Sequence, residues 1–152
     1  MNALTLLKAD HDKVKGLLNE LESTTERGVK TRTELFATIK GELTVHEGIE
    51  EEIFYPALKE HPKAKDIVLE GYEEHHVVDE IMGELEATPV TDETWGAKFT
   101  VMKENIEHHI EEEEGDMFIG EIEEIGVIEP VSVPEPLPVE EPAAPVEEPV
   151  PA

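Results

Sequence analysis

Cysteine is absent from the 152-residue chain. That excludes disulfides, thiolate metal sites and cysteine nucleophiles, and leaves the redox compartment open. Basic residues are scarce: 12 Lys and Arg stand against 38 Asp and Glu, a formal charge of -26. A phosphate backbone needs a basic surface, so nucleic acid is not an expected partner, and an anionic membrane surface is disfavoured for the same reason. Apolar runs are short, and none approaches the length that spans a bilayer. The opening text MNALTLLKADHDK carries no basic stretch followed by an apolar one. No secretory signal is therefore expected, and the cytoplasm is the expected location. An acidic chain attracts cations, but weakly and without specificity. Anything sharper must come from particular residues.

Proline is also scarce until the composition breaks near Ile128. From Glu129 the text reads EPVSVPEPLPVEEPAAPVEEPVPA, with eight of the 11 prolines and no charge except glutamate. Proline lacks the N–H that helices and sheet ladders need. Residues 129–152 are therefore expected to form a disordered Pro/Glu-rich tail, a solubilising segment or the docking site of some partner. Residues 1–128 form the domain. Turn signals are few there: Thr24 to Gly28, His61-Pro62, and Thr88-Pro89. They divide an all-α domain into four helices near 3–22, 31–60, 63–86 and 91–118. Pro56 should bend or break the second close to its end, and Thr91 or Asp92 should cap the fourth. Short loops imply antiparallel neighbours in a four-helix bundle. So acidic a bundle is expected to be monomeric, since like charges repel.

Each segment carries an apolar stripe at steps of three and four. The first reads Leu4, Leu7, His11, Val14, Leu18, Leu21. The second reads Leu35, Ile39, Leu43, His46, Glu50, Ile53. The third reads Val68, Tyr72, His75, Val78, Met82, Leu85. The fourth reads Phe99, Met102, Ile106, His109, Glu113, Met117. One histidine interrupts every stripe, and in the second and fourth a glutamate follows it four residues on. Two histidine doublets require a choice. The stripe selects His75 over His76 and His109 over His108, and these neighbours are the substitutes if the register is off by one. His61 stands at a helix end before a proline and reads as a surface residue.

An ionised carboxylate buried without a partner is very costly. Two of them, Glu50 and Glu113, face a core whose stripe positions offer no Lys or Arg. A metal cluster supplies the missing positive charge. His and Glu four apart share one helical face, so both reach one site. Four imidazoles and two carboxylates exceed one tetrahedral zinc site and suit two bridged ions. Nitrogen and oxygen donors accommodate iron, with manganese and zinc as alternatives. The neighbouring glutamates, Glu51, Glu52, Glu111, Glu112 and Glu114, read as a solvated acidic face.

The order His11, His46-x-x-x-Glu50, His75, His109-x-x-x-Glu113 resembles the hemerythrin-like, or HHE cation-binding, domain. HEGIEEEIFYPAL at 46–58 looks like that family's second-helix signature, and HIEEEEGDMF at 109–118 like its fourth-helix counterpart. The resemblance covers about residues 3–120. It implies an up-down-up-down bundle holding two iron ions joined by an oxo or hydroxo bridge. Glu50 and Glu113 would be the bridging carboxylates and the four histidines the end ligands. Oxygen-carrying hemerythrins have a fifth histidine four residues after the one on the third helix. Here that position is Asp79, which weakens the reading as a reversible oxygen carrier.

The leading function is non-haem di-iron binding, with dioxygen, peroxide or nitric oxide as the small ligand, in sensing, scavenging or iron handling. The alternative is a di-iron enzyme with catalase-like or nitric-oxide-reducing activity. Tyr72, three before His75, is the candidate proton donor near the metals. A ferritin-like carboxylate site would need Glu-x-x-His on two helices. Glu73-x-x-His76 is one match, but Asn105 stands three before His108.

Overall fold

The computed structural model of the chain describes residues 3–117, which are helical apart from short connections. The expected boundary at 128 and the segment 129–152 lie outside the described residues. Helix α1 covers Ala3–Glu22 and α2 covers Val29–Ile49. The second rod continues through a wider π turn, Glu50–Phe54, into the short α3, Tyr55–Lys59. Helix α4 covers Lys65–Ala87 and α5 covers Glu93–Glu112, and α5 runs on into a second π turn, Glu113–Met117.

Cross-helix pairs fix the directions. Lys13 pairs with Glu42 and His46 meets Asp10, so α1 and α2 run antiparallel. Lys40 with Glu86, and His75 with Glu51, do the same for the second rod and α4. Lys98 with Glu84, and His109 with Glu74, join α4 to α5. Lys103 with Glu22, and His11 with Glu114, close the circuit. The result is an antiparallel up-down-up-down four-helix bundle. No helix among the described residues is long and apolar enough to cross a membrane.

Local chemistry sets the ends. Asp92, extended at ψ 138°, accepts the Thr94 N–H at 2.8 Å and caps α5. Thr88 is extended at the end of α4, as a residue before proline must be. Pro56 acts on the second rod: the turn just before it widens, and the Tyr55 N–H bonds the Glu50 carbonyl five residues back. This turn overturns one part of the stripe. A straight α-helix would bury Ile53, but the wider turn leaves Ile53 64% exposed and puts Phe54 and Tyr55 inside. At the other end of the rod Phe36 is buried, while Leu35 packs at its edge.

The core has two parts. The larger holds Val14, Leu18, Leu21, Phe36, Ile39, Met82, Leu85, Phe99 and Met102 around Trp95. Trp95 stacks on Phe99 with centroids 5.8 Å apart and meets the edge of Phe36 at 5.7 Å. The smaller holds Leu7, Phe54, Tyr55, Leu58, Ala64, Val68 and Met117. Arg32 is the buried cation among the described residues. It lies over Trp95 and donates to Val90 O and Thr24 O, at the end of the bundle formed by the α1–α2 and α4–α5 connections. Among the described residues, no other Lys or Arg is buried, so none is buried with the polar centre described next.

Candidate metal centre

Between the two apolar clusters, the stripes deliver His11 from α1, His46 from α2, His75 from α4 and His109 from α5. Glu50 and Glu113 each open a π turn. All six are buried, the two glutamates to within 1%. The doublet partners His76 and His108 stand exposed and pair along their own helices with Glu80 and Glu112.

The six side chains converge through Nε2 and carboxylate oxygens. His46 Nε2 lies 2.8 Å from Glu50 Oε1, and His75 Nε2 lies 3.0 Å from Glu50 Oε2. Glu113 Oε2 is 3.2 Å from His11 Nε2 and 3.5 Å from His109 Nε2. Donor atoms of His11, His46, Glu50 and Glu113 lie within 4.8 Å of one another, as do those of Glu50, His75 and His109. These are the groupings that could hold ions, and Glu50 belongs to both. Despite the short contacts, His46 Nε2, Glu50 Oε1 and Glu113 Oε2 lack a well-directed hydrogen bond. Buried polar atoms are nearly always hydrogen-bonded. Lone pairs that converge on a point without bonding one another are what cation ligands look like.

The outer ring nitrogens face carboxylates. His11 Nδ1 is 2.8 Å from Glu114, His75 Nδ1 is 2.9 Å from Glu51, and His46 Nδ1 is 3.3 Å from Asp10. His109 Nδ1 meets Glu74. Glu51 and Glu114 are thus not merely part of a solvated acidic face, as the sequence suggested. With the two inner glutamates, six carboxylates surround four imidazoles. Carboxylates outnumber the imidazoles that could carry positive charge. The site fits bound cations.

The titration of the groups says the same. Burial pushes the His11 imidazole down, but Glu113, Glu50 and Glu114 together hold it up at about 9. His109 likewise resists burial, raised to about 10 by Glu50, Glu74 and Glu113. His75 is raised against burial, mainly by Glu50. Burial would raise Glu50, but His109, His11, His46 and His75 hold it well below the usual carboxylate range. Glu113 moves up, through burial and the facing charge of Glu50. One ionised and one protonated carboxyl is the expected state of such a pair when no cation separates them.

A cavity of about 20 Å³ opens beside the four imidazoles, walled by Val14, Leu43, Val78, Ile106 and Ile110. That is room for one water-sized molecule. Glu47, next to His46, also lines it. Burial, aided by repulsion from Asp79 and Glu50, pushes its carboxyl up to about 8. Asp79 itself is exposed, and its charge acts on Glu47.

The tyrosine at the site is not the one the stripe suggested. Tyr72 is half-buried, and its hydroxyl donates to the Glu51 carbonyl at 3.3 Å. Tyr55 is fully buried instead. Its hydroxyl lies 3.4 Å from Glu50, His75 and Glu113, and 3.3 Å from His109. Burial raises the phenol far above its ordinary range, so it stays a hydroxyl. Sequence reasoning missed Tyr55 because it stands five residues after Glu50, off an α-helical face but on a π-helical one. The proline that follows it was the available signal. Glu47 was missed because nothing in the stripe separates it from its acidic neighbours.

The family model of the hemerythrin HHE cation binding domain matches residues 2–118. Among solved structures, the chain is similar to a hemerythrin HHE cation binding domain-containing protein from Mycobacterium kansasii. The two are 28% identical with a TM-score of 0.72, over 85% of this chain and 76% of that one. No curated protein matches the chain.

Proposed function

The chain belongs to the hemerythrin HHE cation-binding domain family, and from that premise we propose that it binds two iron ions at this centre. His11, His46, Glu50, His75, His109 and Glu113 are the ligands, and dioxygen, peroxide or nitric oxide is the small-molecule partner. The observation that carries the reading is the position of Glu50. Its two oxygens face different imidazole sets, Oε1 toward His46 and Oε2 toward His75. A carboxylate placed so suits two ions better than one. Iron bound there, with an oxo or hydroxo bridge, would supply redox chemistry and open positions for a small ligand.

The protein's own part is selection and proton supply. The cavity wall beside the imidazoles is apolar, and its volume of about 20 Å³ suits a very small molecule. The Tyr55 hydroxyl stands among both glutamates and two imidazoles, where it can donate a hydrogen bond to whatever oxygen atom occupies the centre. The fourth position after His75 is Asp79, an exposed residue and not a histidine.

A second reading, turnover of peroxide or nitric oxide, is favoured by Glu47. A buried carboxyl lining the ligand cavity can deliver the protons that reduction of either molecule consumes. Elemental analysis tests the common premise: about two irons per chain are expected, in keeping with paired-metal sites in helix bundles. No metal, or a single zinc, would overturn it. Mixing the reduced protein with oxygen and with peroxide then separates the readings. A lasting colour change means binding, and gas evolution from peroxide means turnover.

A further inference from the structure

Every imidazole at the centre has its Nδ1 against a carboxylate, and every one of those carboxylates comes from the neighbouring helix. Asp10 of α1 serves His46 of α2, and Glu51, in the turn after α2, serves His75 of α4. Glu74 of α4 serves His109 of α5, and Glu114, in the turn after α5, serves His11 of α1. The four contacts close a ring around the bundle. Each carboxylate also stands one residue away from an inner side chain: Asp10 before His11, Glu51 after Glu50, Glu74 before His75, Glu114 after Glu113. One residue turns a helix by about 100°, which carries a side chain from the core to the seam with the next helix. Every seam is thereby stitched at the level of the site.

We propose that this ring is a positioning and redox-tuning device, which fixes each Nε2 inward and favours the oxidised state of the bound iron pair. The inference rests on the di-iron reading above. An Nδ1–H that donates to a carboxylate locks the tautomer and the ring orientation, and makes the inner nitrogen a stronger donor. Four acceptors do this at once: the imidazoles they hold are buried, while the carboxylates themselves keep an edge in solvent, which tempers the effect of their charge. Stronger donors and added negative charge stabilise the higher metal charge, so the ferric form is preferred and the reduction potential falls. A site tuned this way holds oxidised iron until an electron donor acts on it. That suits a centre that reacts with an oxidant more than one that must stay ferrous to bind oxygen reversibly.

The test uses the full chain and four single variants, Asp10→Asn, Glu51→Gln, Glu74→Gln and Glu114→Gln. An amide keeps an oxygen acceptor for Nδ1 but removes the charge. Two controls, Glu52→Gln and Glu111→Gln, remove the same charge from exposed positions one residue or more away. Iron content is measured first, then the midpoint potential by mediated titration with dithionite. The amide variants should keep about two irons. Each should shift the ferrous-to-ferric ratio at a fixed potential about tenfold toward ferrous, an upward move of about 59 mV for a one-electron step. The controls should move far less. Unchanged potentials in iron-replete variants, or equal shifts in the controls, overturn the ring while leaving the di-iron reading intact. Failure of the native chain to bind iron overturns both, and is seen before any variant is compared. A variant that fails to fold leaves the decision to the others, each reporting on a different imidazole.

Discussion

Metal uptake should depend steeply on pH, because the imidazoles that receive the metal first hold protons. An imidazole donates its lone pair only when neutral, so binding must displace those protons. His11 is held at about 9 and His109 at about 10, since the carboxylates around them outweigh their burial. At pH 7 both are almost fully protonated. Removing the two protons there costs roughly 3 and 4 kcal/mol. Affinity at pH 7 should therefore sit about five orders of magnitude below its high-pH limit. Between pH 7 and 8.5 the logarithm of the apparent affinity should rise by about two per pH unit, then flatten near pH 10. His75 and Glu113 are both raised as well, so their protons too must leave for metal to bind. Zinc is a suitable probe because it brings no redox change. Competition against a chelator of known pH dependence, on protein stripped of metal, gives the affinity. Calorimetry in buffers of different ionisation enthalpy counts the released protons. An affinity that is flat from pH 6.5 to 9, or binding without proton release, would refute the argument that the surrounding carboxylates, Glu50 and Glu113 foremost, keep the imidazoles charged.

The metal-free protein should lose stability as pH rises. His11 and His109 are raised above the unfolded value of 6.5, so their contribution is complete below that pH and is lost up to 9–10. Glu47, raised to about 8, acts in the same direction from pH 4.5 upward, while the depressed Glu50 loses its contribution as pH falls below 4.5. A thermal midpoint that holds steady or climbs between pH 6.5 and 10, followed by circular dichroism, contradicts this. His109→Ala should lose metal and His108→Ala should largely keep it, since His108 faces solvent; elemental analysis that gives the reverse would shift the α5 face by one residue. Gly71→Ala should destabilise by about 1 kcal/mol in urea, because the added methyl would stand 2.9 Å from the Tyr55 hydroxyl oxygen and 3.1 Å from its ring. In the same helix Gly83→Ala meets nothing within 4 Å and should gain about 1 kcal/mol from helix propensity. Equal gains at both positions would mean that Gly71 is not what makes room for Tyr55.

Much of this site was legible in the stripe. A step of three and four identifies a helix face, and the face brought His11, His46, Glu50, His75, His109 and Glu113 together in one buried centre. The same rule misplaced Ile53 and overlooked Tyr55, because the first lies in, and the second just after, a turn that holds more residues than an α-turn. It also treated Glu51 and Glu114 as solvated. A stripe is a property of one helix, whereas those carboxylates act on a histidine of another. Their role follows only once the seams of the bundle are known.

The two π turns occupy matching positions in the sequence. Aligned on their histidines, the second-rod and fourth-rod sequences put Glu50 with Glu113, Ile53 with Asp116, and Phe54 with Met117. In both, the turn begins at the glutamate, the fourth residue of the turn is exposed and the fifth is buried. Phe54 and Met117, the fifth residues of the two turns, fill the smaller apolar cluster. Widening also changes which backbone groups surround the glutamates, and such turns are frequent at functional sites. Here each is anchored on its outer side by a buried apolar residue and on its inner side by a carboxylate held among imidazoles. The larger cluster around Trp95 lies beyond the site and needs neither turn. The bundle therefore separates two tasks along its length. One end supplies ordinary packing, and the other accepts an irregular backbone so that two glutamates and a tyrosine can meet four histidines.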